Sequence, residues 1–215
     1  MSTLARSAER TTRQSTPVQL LDGAGILHRP AHRFSIAQYH KMIETGILTG
    51  NDRVELLDGW IIEKMTYNPP HNASMTRTNR RLSRLLPDQW LLLVQGAITL
   101  RSSEPEPDFA IVDGPDERYS RRKPLAREVR LVMEVADSTL LYDRRWKLQM
   151  YAQARIPEYW IINLVESRIE VYTDPKSGRE ATYRRQDVYV VGQSIPLILG
   201  DQHIADLPVR DLLPA

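Results

Sequence analysis

Apolar residues recur along this chain in two rhythms, one helical and one alternating. Ile36, Tyr39, His40, Ile43 and Ile47 fall on one helical stripe behind Ser35, a good capping residue, with Gly46 and Gly50 near its end. Val54 to Leu57 and Trp60 to Met65 flank Asp58-Gly59, a pair suited to the positive backbone angles of a two-residue turn, and predict a β-hairpin. Tyr67-Asn68-Pro69-Pro70 reads as a loop, and a second helix follows from about Asn72 to Leu86 with His71 at its entrance and Leu82, Leu85 and Leu86 facing inward. Strands are expected within Trp90 to Leu100, from near Asp108, over Val129 to Ala136, and over Pro157 to Leu164, the last paired with Arg168 to Thr173 across a Glu166-Ser167 turn. A third helix spans about Tyr142 to Arg155, and the charged stretch between Gly114 and Arg127 reads as an exposed loop. This succession predicts an α/β fold with a central sheet, helices around it, and an N-terminal helix and hairpin.

Three carboxylates interrupt the apolar runs: Glu55 in Val-Glu-Leu-Leu, Asp108 in Pro-Asp-Phe-Ala-Ile-Val and Glu134 in Leu-Val-Met-Glu-Val-Ala. An isolated buried charge costs several kcal/mol or more, so such acids must be paired, protonated or bound to a cation. Alternation puts Asp108 on one face with Ala110 and Val112, and Glu134 on one face with Val132 and Ala136. If the two strands are neighbours with those faces aligned, the carboxylates converge. Two oxygen ligands completed by waters and a phosphate suit Mg²⁺ or Mn²⁺, and such an ion activates water toward a phosphodiester. On the third helix, Asp143, Lys147 and Tyr151 stand at i, i+4 and i+8, which directs Lys147 toward the same place.

Composition bounds the rest. With 215 residues, 41% hydrophobic and 26% charged, the chain has the make-up of an ordinary folded domain. One domain over residues 31–215 is expected, behind a flexible N-terminal tail over residues 1–30. A net charge of +2 argues for no polyanionic partner by itself. The absence of cysteine excludes disulfide frameworks, thiolate zinc sites and cysteine nucleophiles. No apolar run approaches the roughly 18 to 20 residues that span a bilayer, and Met1 to Thr16 lacks the apolar core of a secretory signal. The reading is a cytoplasmic protein with no membrane partner. Arg77 and Arg81 on the second helix, Arg121, Arg122 and Lys123 in the charged loop, and Arg144 are candidate contacts for a phosphate backbone.

Val54-Glu55-Leu56-Leu57-Asp58-Gly59, His71 after a Pro-rich loop, Pro107-Asp108, Glu134-Val135, Asp143 with Lys147, and Ile156-Pro157-Glu158-Tyr159-Trp160 together resemble the Uma-type restriction endonuclease family of the PD-(D/E)XK nuclease superfamily. The resemblance runs from about Phe34 to beyond Tyr172. It implies a restriction-endonuclease-like mixed sheet and Mg²⁺- or Mn²⁺-dependent hydrolysis of DNA, with the protein a homodimer. It further implies that Asp108 and Glu134 bind the metal, that Glu55 is an additional upstream acid, and that the Val135 carbonyl is a further ligand. The superfamily's lysine stands two positions after the second acid, where this chain has Ala136, so Lys147 is the implied replacement. Asp137 competes as a ligand, and His71, Asp143 and Tyr151 support the site from behind.

Plainer readings stand beside these. Glu55 pairs with Arg53 or Arg33, His71 caps or packs, Lys147 pairs with Asp143, and the arginine runs are solvated faces. Two other functions fit the same fold: a catalytically inactive nucleic-acid-binding module, motivated by Ala136, and a protein-interaction subunit that dimerises through a sheet edge or through Leu207, Leu212 and Leu213.

Overall fold

Ser35 Oγ accepts the Gln38 N–H at 3.2 Å while Gln38 Oε1 accepts the Ser35 N–H at 2.8 Å, a reciprocal cap that opens α1 (Ile36–Glu44). The computed structural model describes residues 31–65 and 68–214. The proposed tail over residues 1–30 lies outside the described residues. Helix α1 is shorter than its apolar stripe suggested: it buries Tyr39, whereas Ile43 and Ile47 are exposed, Ile47 lying past the helix end. The hairpin of β1 (Val54–Leu57) and β2 (Trp60–Glu63) turns on Asp58 and Gly59, with φ of +46° and +82°.

Helix α2 (Pro69–Leu82) corrects the expected loop at Pro69-Pro70. The first helical positions have no intrahelical acceptor for their N–H groups, so two prolines there forfeit nothing. Asn68 caps the helix by accepting the His71 N–H at 3.0 Å. The helix also ends earlier than expected, at Leu82, and Leu85 and Leu86 pack on the core from the turn beyond.

The central sheet has six strands in the order β3 (Trp90–Val94), β4 (Phe109–Asp113), β5 (Val129–Ala136), β6 (Glu158–Asn163), β7 (Arg168–Lys176) and β8 (Thr182–Val190). Only β5 and β6 are parallel; all other neighbours are antiparallel. The parallel step needs a crossover, which the helical segment 140–153 supplies. That segment consists of α3 (Leu140–Tyr142), a π turn (Asp143–Lys147) and α4 (Leu148–Gln153). The sequence rhythm predicted one regular helix here. The wider π turn is local, and apolar spacing does not encode it.

Strands β5 and β6 read as near-continuous apolar runs because both faces of the sheet are covered. One face packs Phe109, Ile111, Leu131, Met133 and Trp160 against Leu82 of α2 and against the hairpin of β9 (Ser194–Leu199) and β10 (Gln202–Pro208). The other packs Ala110, Val112, Val132, Ala136 and Tyr159 against Leu140, Tyr151 and Ala152. The C-terminal leucines Leu207, Leu212 and Leu213 are buried within this core, so they offer no docking surface to a second chain. Among the described residues no helix is long and apolar enough to cross a membrane.

One charged residue is wholly enclosed behind the crossover. Glu170 on β7 takes hydrogen bonds from Arg144 at Nε (3.0 Å), Arg168 at Nε (3.2 Å), Asn163 (2.8 Å) and the Tyr172 hydroxyl (2.7 Å). Burial pushes its carboxyl up, but the bonds from Arg144, Asn163 and Tyr172 outweigh it and hold it down at about 2. An acid depressed from about 4.5 to about 2 stabilises the fold above the ordinary value and loses that contribution as pH falls from about 4.5 toward 2, an amount on the order of 3 kcal/mol. Glu170→Gln is therefore expected to lower urea-unfolding stability at pH 7 by roughly that amount and to flatten the loss below pH 5. A variant with an unchanged acid limb would place acid sensitivity elsewhere.

Candidate active site

Phe109 pairs with Met133 and Ala110 with Val132, so Asp108, one residue before β4, falls opposite Glu134 of β5. Both acids thus sit at one end of the sheet on the face covered by segment 140–153, as strand alternation required. Asp108 is 5% exposed and Glu134 3%. Asp108 Oδ2 accepts the Val135 N–H at 2.8 Å and lies 3.2 Å from His71 Nε2, which the N-terminal turn of α2 holds there. Glu134 Oε1 accepts the Tyr151 hydroxyl at 2.7 Å and lies 2.9 Å from Lys147 Nζ. Lys147 is also 3.8 Å from Asp143 Oδ1, and Asp143 Oδ2 accepts the Thr139 hydroxyl at 2.6 Å. Glu55, on β1, approaches from the hairpin and accepts the Glu106 N–H at 3.0 Å, a backbone donor in place of the arginines that the plain reading offered.

Glu55, His71, Asp108, Glu134, Asp143 and Lys147 all line one cavity of about 350 Å³. The crowding sets their protonation. Burial pushes Glu134 up; Lys147 pulls it back, and Asp108 and Asp143 push it further. Asp143 and Glu55 are likewise raised, chiefly by burial against the pull of Lys147. Burial favours the neutral amine of Lys147, yet Glu134, Asp143 and Glu55 outweigh it and keep the ammonium charged well above the ordinary lysine range. One buried cation is thus shared among several acids.

The donor set suits a hard cation: carboxylate oxygens with a nearby strand carbonyl, and no thiolate. Among the described residues no hydrogen bond engages Asp108 Oδ1 or Glu134 Oε2, which leaves one oxygen of each acid for an ion. Among the described residues no three His, Asp or Glu side chains stand as a ready-made metal cage. Mg²⁺ does not need one, because it keeps several waters and binds through one or two carboxylates.

Several members of the cavity wall escaped the sequence. Lys64 forms an ion pair with Glu106, and burial lowers its pKa. Its signal was present: Glu55 pairs with Ile62 across the hairpin, and Lys64 shares the face of Ile62 two positions on. Tyr142 lines the wall on the crossover side, and Asn68, also in the wall, donates from its amide to Asp137, the acid that the sequence had offered as a competing ligand. Asn68→Ala removes both that tie and the α2 cap, and should cost about 1 kcal/mol in chemical denaturation while loosening His71. No loss of stability would mean that the two prolines suffice to start the helix.

The six basic residues offered for phosphate contact do not line the cavity. Arg77 donates to the Arg210 carbonyl at 2.8 Å and Arg81 lies 3.6 Å from Asp211. Arg122 forms a two-bond pair with Glu128, both at 2.7 Å, and Lys123 pairs with Glu104. Arg144 is committed to Glu170 and Glu166, while Arg121 is exposed.

Comparison with known proteins bears on the fold and the family. The crystal structure of a "putative nuclease belonging to DUF820" from Anabaena variabilis superposes with a TM-score of 0.55 at 15% identity, covering 79% of this chain and 94% of that one. At that identity the likeness is one of fold. No curated protein matches the chain. The model of the Uma2 family, described as "Putative restriction endonuclease", matches residues 36–207, which include the hairpin acid, both facing carboxylates and the crossover lysine, and the chain belongs to that family.

Proposed function

We propose that this protein is an endonuclease that hydrolyses DNA phosphodiester bonds with Mg²⁺ or Mn²⁺. The observation that carries the reading is the facing pair Asp108 and Glu134, buried at one sheet end with the Lys147 ammonium 2.9 Å from Glu134. Asp108 and Glu134 would hold the ion through their remaining oxygens, with the Val135 carbonyl as a further donor. When bound, the ion polarises the phosphodiester and lowers the pKa of an attacking water.

The chain's own groups do the remainder. Glu55 positions water from the hairpin side. Lys147 offsets negative charge that develops on the phosphoryl group, a preorganised electrostatic contribution from the cavity wall. His71 steadies Asp108; Tyr151 and Asp143 steady Glu134 and Lys147. The test is incubation of purified protein with supercoiled, linear and single-stranded DNA in Mg²⁺, Mn²⁺ or chelator. Cleavage in the metal arms alone is expected, and no cleavage in any arm overturns the reading.

A second reading draws on Lys147 itself. Its ammonium already satisfies Glu134, as a non-catalytic DNA-binding module would require. Calorimetry separates the two: the nuclease takes up Mn²⁺, whereas the module binds DNA without it.

A further inference from the structure

The facing acids lie at the bottom of a recess, not on a ridge. Asp108 and Glu134 are 5% and 3% exposed. The hairpin side of the cavity carries Ile62, Lys64 and Met65, and the crossover side carries Tyr142. Met65 is 58% exposed, and Tyr142 is held edge-on by Trp146, with ring centroids 5.4 Å apart and planes at 64°. Trp146 itself is 36% exposed. Among the described residues the Tyr142 hydroxyl is buried with no hydrogen-bond partner, so the ring and not the hydroxyl is what this side chain offers the cavity. Two lysines, Lys64 and Lys147, stand on the same walls. The recess therefore combines cations and a braced aromatic ring, the chemistry of a nucleotide's phosphate and base face.

A fully paired duplex turns its bases inward and cannot put one on this ring without extruding it, at a cost of a few kcal/mol. A strand with an unpaired base meets no such cost, and stacking contributes about 1 to 3 kcal/mol per base. We propose that the cavity selects DNA whose base beside the scissile phosphate is unpaired, with Tyr142 as the positioning residue on which that base stacks and Trp146 bracing its ring. This rests on the nuclease reading for the phosphate and adds the substrate class.

The experiment uses the full chain and a short oligonucleotide carrying the fluorescent base 2-aminopurine, single-stranded or in a complementary duplex, with chelator present so that the strand stays intact. Wild type and Tyr142→Phe are expected to quench the single-stranded probe and to bind it at least about tenfold more tightly than the duplex. Tyr142→Leu keeps the apolar volume without the flat ring, and should lose the quench and about 5- to 150-fold in affinity. Trp146→Leu, which leaves Tyr142 in place, should weaken both effects and decides the matter if Tyr142→Leu fails to fold. Equal binding of duplex and single strand, or undiminished quenching by Tyr142→Leu, overturns the proposal. Quenching as expected with no cleavage of any DNA in Mg²⁺ or Mn²⁺ sinks the nuclease reading and leaves the stacking site standing; cleavage without the quench does the reverse.

Discussion

Asp108→Asn is expected to reduce metal-dependent DNA cleavage at least about a hundredfold while leaving the fold intact. The two halves of that expectation have separate causes. The amide oxygen of asparagine can still accept the Val135 N–H that Asp108 Oδ2 now takes at 2.8 Å, so the tie between β4 and β5 survives. Removing one negative charge beside Glu134 also relieves a crowd of acids, so the melting temperature should hold or rise slightly. What would disappear is an anionic ligand of the proposed ion, and loss of a contribution of several kcal/mol to stabilising charge in the transition state is worth about a hundredfold or more. Calorimetry should show Mn²⁺ uptake in wild type and none in the variant. Full cleavage by Asp108→Asn would move the ion away from this pair of strands.

Some of this site was open to the sequence for a simple reason: strand alternation has a period of two, so the partners of Asp108 and Glu134 on each face follow from counting. That the two faces align depends on the β4–β5 register, which local sequence does not carry but which the structure supplies through Phe109 and Met133. The Asp58-Gly59 turn and the Ser35 cap were legible because both are set by residues within three positions. Pro69-Pro70 misled because the same residues end a helix in one context and start it in another; Asn68 ahead of them was the deciding signal. Charge partners were the least legible. Arg144 meets Glu170 across 26 positions of chain, and Lys123 meets Glu104 across 19, so residues that read as a basic patch are largely spent on internal pairs. The burial of Leu207 and Leu212 likewise rests on contacts that no local rhythm announces, whereas Ile195, Leu197 and Leu199 alternate along β9 and were a period-two signal left unread.

Lys147 is where the electrostatics of the site concentrate, and its removal should register twice. Lys147→Ala is expected to cut turnover at least about tenfold, the measure of one well-placed charge in phosphoryl transfer. It also leaves Glu134 and Asp143, at 2.9 and 3.8 Å, without their shared counter-charge inside an enclosed wall. Breaking a buried pair costs roughly 3 to 5 kcal/mol when the remaining charge stays ionised. Protonation of the acids, which burial already favours, recovers part of that, so a loss near 3 kcal/mol and a melting temperature lower by roughly 6 to 12 °C are expected. Lys147→Arg keeps the charge but replaces a compact ammonium by a wide planar group, and should restore stability more fully than rate, because the carboxylates need only a cation whereas the phosphoryl oxygens need it at one place. A Lys147→Ala enzyme that loses stability yet turns over at the wild-type rate would assign the lysine to the fold alone and remove it from the chemistry.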